Sequence, residues 1–184
     1  MKFVETAIPG VLLVEIERME DERGFFARTW CESEFAAQGI TVRMKQCSLS
    51  YNHLRGTLRG MHYQGPPSAE AKLVRCNRGA VYDVLVDARE NSPTEGRHLG
   101  LELTQDRPAM IYVPEGVAHG FITLTDGAEL AYWISADYRA EHQVGFRWDD
   151  PQIGIGWPLR PVILSSRDAA LPSFRDRNRA ASVP

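Results

Sequence analysis

The run Ala80-Val-Tyr-Asp-Val-Leu-Val-Asp87 decides the fold class, because its β-branched and aromatic residues are typical of a β-strand. Other short extended runs lie on both sides of it, and breakers such as Pro114-Glu115-Gly116 and Asp126-Gly127 separate them. These runs cover residues 11–16, 24–30, 99–103, 109–113, 120–124 and 128–134. Strands at such short and regular spacing predict a β-sandwich or a barrel.

Helix signals are few. Residues 32–38 predict one short helix that Gly39 ends, and Asp168 can begin another near the C-terminus. The stretch from Arg175 to Pro184 is charged, then small and polar, and we expect a loosely held tail from about residue 175. We find no repeat or linker, so residues 1–184 are predicted to form a single domain.

Composition narrows the class of protein. The chain has 184 residues, a net charge of -3 and 43% apolar residues, so neither a basic nucleic-acid-binding domain nor a membrane span is expected. The N-terminus lacks the features of a signal peptide. Three separated cysteines without a CxxC pair argue against a zinc ribbon or a disulfide scaffold. We therefore expect a soluble, cytoplasmic protein with buried free thiols.

Residue parity in the run from 80 to 87 leaves two arrangements open. Val81, Asp83 and Leu85 share one face, and Tyr82 and Val84 lie on the other. Either Asp83 points into the barrel, where a carboxylate needs a partner, or its face is exposed to water. Periodicity alone does not choose between them.

His62 and Lys72 stand out as candidates for chemistry. They flank a Gly-Pro-Pro turn, and neighbouring strands could bring both to one cavity, where histidine serves as a base and lysine stabilises an oxyanion. The alternative is a hairpin whose polar residues face solvent. His119 begins an apolar strand, a place where histidine is usually structural. Many metal-binding barrels use an HxH pair, but here the residue two positions after His62 is Gln64. The HxH pair is therefore absent, and we expect no metal.

Aromatic and acidic residues near the C-terminus are further candidates. Tyr132 is a possible proton donor, and Tyr138 can stack on a ring. Either one can equally fill a β core. Asp168 can orient a histidine or simply cap the short helix that follows it.

Seven segments together resemble the dTDP-4-dehydrorhamnose 3,5-epimerase family of sugar-nucleotide epimerases, in order and spacing over nearly the whole chain. The segments are residues 21–26, 58–64, 72–75, 82–87, 111–121, 148–158 and 164–168. This resemblance implies an all-β, cupin-type jelly roll (double-stranded β-helix) with a few short helices. It also implies a homodimer that uses no metal or other cofactor.

The resemblance implies four catalytic residues. His62 matches the base that removes the proton next to the substrate's 4-keto group, and Asp168 matches the residue that holds this imidazole. Lys72 matches the group that stabilises the enolate oxygen. Tyr132 matches the acid that returns a proton from the opposite face.

The resemblance also implies a set of residues that bind the nucleotide sugar. They are Arg23, Arg28, Gln46, Ser48, Arg59, Asp83, His119, Tyr138, Gln143 and Arg167. Asp83 matches an inward polar residue, which favours the barrel-facing arrangement. Four of the set differ from the family's usual residue type: Arg28, Ser48, Gln143 and Arg167.

The implied function is epimerisation of a nucleotide-linked 4-keto-6-deoxy sugar by removal and return of an α-proton. Three alternatives stay open at this point. The first is a mono-epimerase or keto-isomerase acting on a modified sugar carried by dTDP or another nucleotide. The others are a sugar-binding cupin without activity and a metal-dependent cupin oxygenase.

Overall fold

Two antiparallel β-sheets and a separate β-hairpin form most of the regular structure in the computed structural model, which describes residues 1–107 and 109–178. The strands are β1 (Lys2–Glu5), β2 (Leu12–Glu15), β3 (Arg18–Asp21), β4 (Gly24–Ala27), β5 (Gln46–Asn52), β6 (Leu58–Gln64), β7 (Lys72–Arg78), β8 (Ala80–Asp87), β9 (His98–Thr104), β10 (Ala109–Val113), β11 (Val117–Thr123), β12 (Ala128–Ile134) and β13 (Gln143–Gly145). The helices are α1 (Glu32–Ala36) and α2 (Ser166–Ala169), with 3-10 turns at Ala140–His142 and Phe174–Asp176.

The order of the strands confirms the predicted all-β jelly roll. The larger sheet runs β1-β2-β10-β7-β12-β5, and the smaller sheet runs β13-β6-β11-β8-β9. Within the described residues, β3 and β4 pair only with each other and join neither sheet. Strands adjacent in sequence therefore often lie in different sheets, and this arrangement positions the site.

An apolar core fills the space between the two sheets. Val74 and Leu130 come from the larger sheet, and Val81, Leu85 and Phe121 come from the smaller one. Each of these five side chains is at most 2% exposed, so burial of apolar area holds the sheets together.

Strand β8 is buried on both faces. Val81 and Leu85 belong to the core between the sheets, and Asp83 shares their parity and is itself buried. Val84 packs instead beneath the C-terminal segment, against residues that include Phe146. The inward arrangement of Asp83 is thus the one adopted, and the opposite face is covered by the chain's own loops rather than by water.

The expectation of a loosely held tail from residue 175 is wrong for residues 175–178, and residues 179–184 lie outside the described part of the chain. Arg177 is buried, donates to the carbonyl of Ala88 at 3.1 Å and pairs with Glu95 at 2.8 Å. Its guanidinium also lies 3.9 Å from the ring centroid of Phe174. These contacts fix the segment, and its charged composition gave no sign of them.

Two other expectations concern thiols and membranes. Cys76 is buried as expected, but Cys31 is half-buried and Cys47 is exposed on β5. None of the helices in residues 1–107 and 109–178 is long and apolar enough to cross a membrane.

Asp87 at the end of β8 organises the loop that follows it. Its carboxylate accepts hydrogen bonds from Arg89 at 2.8 Å and from the hydroxyls of Ser92 and Thr94 at 2.6 Å each. Burial raises the pKa of Asp87, but these hydrogen bonds outweigh it and lower the pKa to about 2. Its charged form is therefore more favourable in the folded protein than in the unfolded chain.

Replacing Asp87 with asparagine should lower the free energy of unfolding at neutral pH by about 2 kcal/mol, since one pKa unit corresponds to about 1.36 kcal/mol. A lowered pKa stabilises above the unfolded pKa and loses its effect as pH falls through the folded one. The difference between wild type and D87N, measured by urea denaturation, should therefore shrink as pH falls from about 4 to 2. A difference that stays constant over that range would contradict this account.

Candidate active site

A cavity of about 660 Å³ opens between the two sheets, and polar side chains from both sheets line it. Lys72 on β7 and Tyr132 on β12 come from the larger sheet. Arg59 and His62 on β6 and His119 on β11 come from the smaller sheet. The solvent-facing hairpin considered for His62 and Lys72 is thus wrong.

His62 and Asp168 form a hydrogen-bonded pair at one wall of this cavity. Their Nε2 and Oδ1 atoms are 2.8 Å apart, and Asp168 is buried. Burial raises the pKa of Asp168, but the hydrogen bond and charge of His62 lead the opposing contacts and leave the pKa below its usual value. Since an ionised carboxylate can only accept, Nε2 of His62 carries the proton and Nδ1 is left as the basic atom.

Helix α2 places Asp168 for this contact. Ser165 caps the helix, and its hydroxyl accepts from the backbone N–H of Asp168 at 3.0 Å. The backbone N–H of Gly60 donates to the other oxygen of Asp168 at 3.3 Å. Ser165, not Asp168, is the helix cap, which leaves the carboxylate free to orient His62.

Lys72 and Glu70 form a second pair in the cavity. The ammonium of Lys72 lies 2.9 Å from Oε1 of Glu70, and both side chains are nearly buried. The positive charge is therefore held at the cavity wall by a carboxylate.

Tyr132 lies across the cavity from the His62 pair. Its ring contacts the ring of His119 edge-on at 5.9 Å between centroids. Burial, followed by the negative charge of Asp83, raises the pKa of Tyr132. Its phenol accordingly stays protonated at neutral pH and can serve as a proton donor.

Asp83 and His119 form a third pair, deeper in the site. His119 Nε2 and Asp83 Oδ2 are 2.8 Å apart, and both side chains are buried. The second oxygen of Asp83 has no hydrogen-bond partner among the described residues. His119 also pairs with His62 across β11 and β6, so the two imidazoles belong to adjacent strands.

Lys72 and His62 face one cavity, as one of the two interpretations held, but their strands belong to opposite sheets and are not neighbours. After β6, the Gly65-Pro66-Pro67 turn carries the chain across to the larger sheet before β7 begins. The base candidate His62 and the acid candidate Tyr132 consequently stand on opposite walls. A carbon held between them can lose a proton at one face, and the planar intermediate that forms can gain one at the other.

Most residues predicted to bind substrate line the same cavity. They are Gln46, Ser48, Arg59, His119, Tyr138, Gln143 and Arg167. The phenol of Tyr138 donates to Oε1 of Gln143 at 2.9 Å, which fixes an exposed ring at the cavity mouth. Asp83 does not line the cavity, and its side-chain hydrogen bond in the site is the one with His119.

Arg23 and Arg28 are not brought to the cavity within this chain. Arg23 pairs with Asp21 in the exposed hairpin, and Arg28 donates to Glu34 at 2.7 Å. Glu34 also accepts from the N-terminal ammonium at 2.9 Å. Arg23 lies between β3 and β4, and Arg28 directly follows β4. Neither reaches the cavity, because these two strands stand apart from both sheets.

Sequence reasoning missed Glu70 and Ser50, which also line the cavity. The two-residue period of a strand carried a signal for both. Glu70 precedes Lys72 by two residues, and Ser50 follows Ser48 by two. The Ser50 hydroxyl is buried without a hydrogen-bond partner among the described residues.

Comparisons with known proteins agree on one family. The model of the dTDP-4-dehydrorhamnose 3,5-epimerase family matches residues 5–176. A dTDP-4-dehydrorhamnose 3,5-epimerase from Sinorhizobium fredii is 42% identical over 95% of this chain and 90% of its own length.

Solved structures give the same result. The dTDP-4-dehydrorhamnose 3,5-epimerase of Elizabethkingia anophelis superimposes with a TM-score of 0.93 at 37% identity, covering 97% of this chain and 98% of its own. The dTDP-6-deoxy-D-glucose-3,5-epimerase of Legionella pneumophila, solved with dTDP-4-keto-L-rhamnose, gives a TM-score of 0.92 at 35% identity. That match covers 98% of this chain and 96% of the Legionella chain.

Proposed function

The chain belongs to the dTDP-4-dehydrorhamnose 3,5-epimerase family, and from this we propose that it epimerises a dTDP-linked 4-keto-6-deoxy sugar with His62 as base and Tyr132 as acid. One observation carries the assignment of roles. His62 and Tyr132 lie on opposite sheets with the cavity between them, as proton removal from one face and return to the other require.

In the first step, Nδ1 of His62 takes the proton from a carbon next to the 4-keto group. Asp168 supports this step because it fixes the tautomer and stabilises the imidazolium that forms. The electron pair of the broken C–H bond moves into the ring, and the keto oxygen becomes an enolate oxygen.

Lys72 stabilises that enolate oxygen. An α-proton of a ketone is only weakly acidic, so the charge on the oxygen must be stabilised as it develops. A compact ammonium in a nearly buried position suits this role, because its charge is screened less by water there than at the surface.

In the last step, Tyr132 returns a proton to the other face of the same carbon, and the enolate becomes a ketone again. Carbons on both sides of the keto group can react in this way. Since the relatives compared above are named 3,5-epimerases, inversion at both carbons is favoured over the mono-epimerase and keto-isomerase alternatives. NMR of the product, which distinguishes inversion at C3, C5 or both, tests this choice.

Replacing Tyr132 with phenylalanine should separate exchange from inversion. His62 still removes and returns the proton on its own face, so deuterium enters from heavy water while inversion falls by about 10²–10⁴-fold. Tyr82→Phe, at a tyrosine outside the cavity, is the matched control and should epimerise normally. If Tyr132→Phe inverts the configuration at the wild-type rate, Tyr132 is not the acid that returns the proton.

The nucleotide is expected to bind at the cavity mouth. Tyr138, held by Gln143, offers a flat ring for a nucleobase. Arg59, whose Nε donates to Asn52 at 2.8 Å, and Arg167 supply positive charge toward a diphosphate. No metal or cofactor enters the reaction as proposed.

A homodimer in the cytoplasm completes the proposal. Met19, Phe25 and Phe26 on the hairpin and Leu49 on edge strand β5 are exposed apolar side chains, which a second copy would cover. Arg23 lies in the same hairpin, so its predicted nucleotide contact requires such a second copy. Sedimentation equilibrium tests for the homodimer, and a monomeric mass would exclude it.

The proposed compartment rests on the cysteines. The unpaired thiols are consistent with a reducing compartment such as the cytoplasm.

A further inference from the structure

Glu70 contacts the reacting part of the cavity, and no step of the proposed reaction has used it. Its Oε1 lies 2.9 Å from Nζ of Lys72, with side-chain exposures of only 8% for Glu70 and 11% for Lys72. Its Oε2 accepts a hydrogen bond from Nε2 of Gln64 at 3.1 Å. Both oxygens of the carboxylate are thus engaged, one by the ammonium and one by an amide.

Gln64 is itself firmly held. It is 2% exposed, and its Oε1 accepts from the backbone N–H of Arg139 at 2.7 Å. Its Nε2 also donates to the carbonyl of Asp137 at 3.2 Å. Glu70 is therefore tied through Gln64 to the segment that carries Tyr138, and the ammonium of Lys72 is positioned by a network rather than by its flexible stem.

The pair also has an electrostatic consequence. A buried ammonium without a partner is costly, and a carboxylate within hydrogen-bond distance compensates its charge. Breaking such a pair by removing one charge leaves the other uncompensated. Other titratable groups on the cavity walls are Arg59, His62, His119, Tyr132, Tyr138, Arg167 and Asp168. The ion pair that Lys72 forms is the one with Glu70.

We propose that Glu70 is a positioning residue for the epimerisation, which holds the ammonium of Lys72 in place and aims it at the enolate oxygen. This inference rests on the proposed function, because it assumes that Lys72 acts on that oxygen. It adds a residue that touches no reacting atom and acts through Lys72 alone.

The first test is the split between kcat and KM in Glu70→Gln, which keeps the shape of the side chain and its contact with Gln64 but removes the charge. Without the carboxylate, the ammonium of Lys72 loses the charge-assisted contact that fixes its position. We expect kcat to fall by about 10- to 100-fold, because stabilisation of the enolate oxygen depends on the position of the ammonium, while KM changes little. An unchanged kcat, or a loss that appears only in KM, would overturn the proposal.

Glu95→Gln is the matched control, because it removes a carboxylate from another Glu–cation pair, that with Arg177, outside the cavity. Its kcat and KM should equal those of wild type. A similar loss of kcat in both variants would mean that the effect is a general loss of stability, and would also overturn the proposal.

A second test needs no activity. The chain has three lysines, Lys2, Lys45 and Lys72, so selective ¹³Cε-lysine labelling gives three NMR signals, and Lys72→Arg assigns the relevant one. In Glu70→Gln the chemical shift of this signal should move at constant pH, because the ammonium loses its fixed position beside a carboxylate, while the signals of Lys2 and Lys45 stay unchanged. An unmoved signal refutes the role of Glu70 even if wild type epimerises. Absence of epimerisation in wild type instead refutes the proposed function.

Discussion

Replacing His62 with alanine should lower kcat for epimerisation by about 10²–10⁴-fold, the usual contribution of a general base. Deuterium incorporation from heavy water should fall by the same factor, because His62 is the base proposed to take the proton. KM should change little, since the imidazole is expected to act on the reacting carbon and not on the nucleotide. Steady-state kinetics with product NMR measures all three quantities.

The variant must be shown to fold, because removing His62 leaves the buried Asp168 without its main partner. His62→Asn offers a second variant, whose amide can still donate to the carboxylate but cannot act as a base. His98→Ala is the matched control, because His98 is exposed on β9 and lies outside the cavity. Exchange at the wild-type rate in a folded His62→Asn protein would rule out His62 as the base.

Replacing Lys72 with methionine should lower kcat by about 10²–10³-fold, as removal of one oxyanion-stabilising group typically does. Exchange and inversion should fall together, because both pass through the same enolate. This result would distinguish the role of Lys72 from that of Tyr132, because loss of the Tyr132 hydroxyl is expected to lower inversion only. The measurement is the rate of each process followed in one NMR time course.

Loss of Lys72 also leaves the carboxylate of Glu70 uncompensated, and that alone can disturb the site. The double variant Glu70→Gln/Lys72→Met removes both charges and should show the same loss of kcat with better stability. Lys45→Met is the control, since Lys45 is half exposed and pairs with Asp137 outside the main cavity. Full activity in the double variant would contradict a role for Lys72 at the enolate oxygen.

The sequence predicted the fold class well because the central strands are short and apolar, with clear breakers between them. It predicted β8 over Ala80–Asp87 and β12 over Ala128–Ile134 with bounds close to those observed. It did not predict β5 over Gln46–Asn52, because that edge strand alternates cavity-facing polar residues with exposed ones and lacks an apolar run. Its two-residue period was still visible in Gln46, Ser48 and Ser50.

The site was predictable in part from the residue types and from the family resemblance. His62, Lys72, Tyr132 and Asp168 do meet around one cavity. The sequence could not show that β6 and β7 lie in opposite sheets, because pairing between distant strands sets that arrangement. It also gave no sign that Arg28 pairs with Glu34 instead of lining the cavity. Contacts of this kind depend on how the hairpin packs, not on local pattern.

The most direct test of the central claim is epimerisation of dTDP-4-keto-6-deoxyglucose by the wild-type protein in heavy water, followed by NMR. We predict deuterium at both C3 and C5, each with inverted configuration, because His62 and Tyr132 act on opposite faces of the ring. Recovery of the substrate without deuterium and without inversion at either carbon would contradict the account.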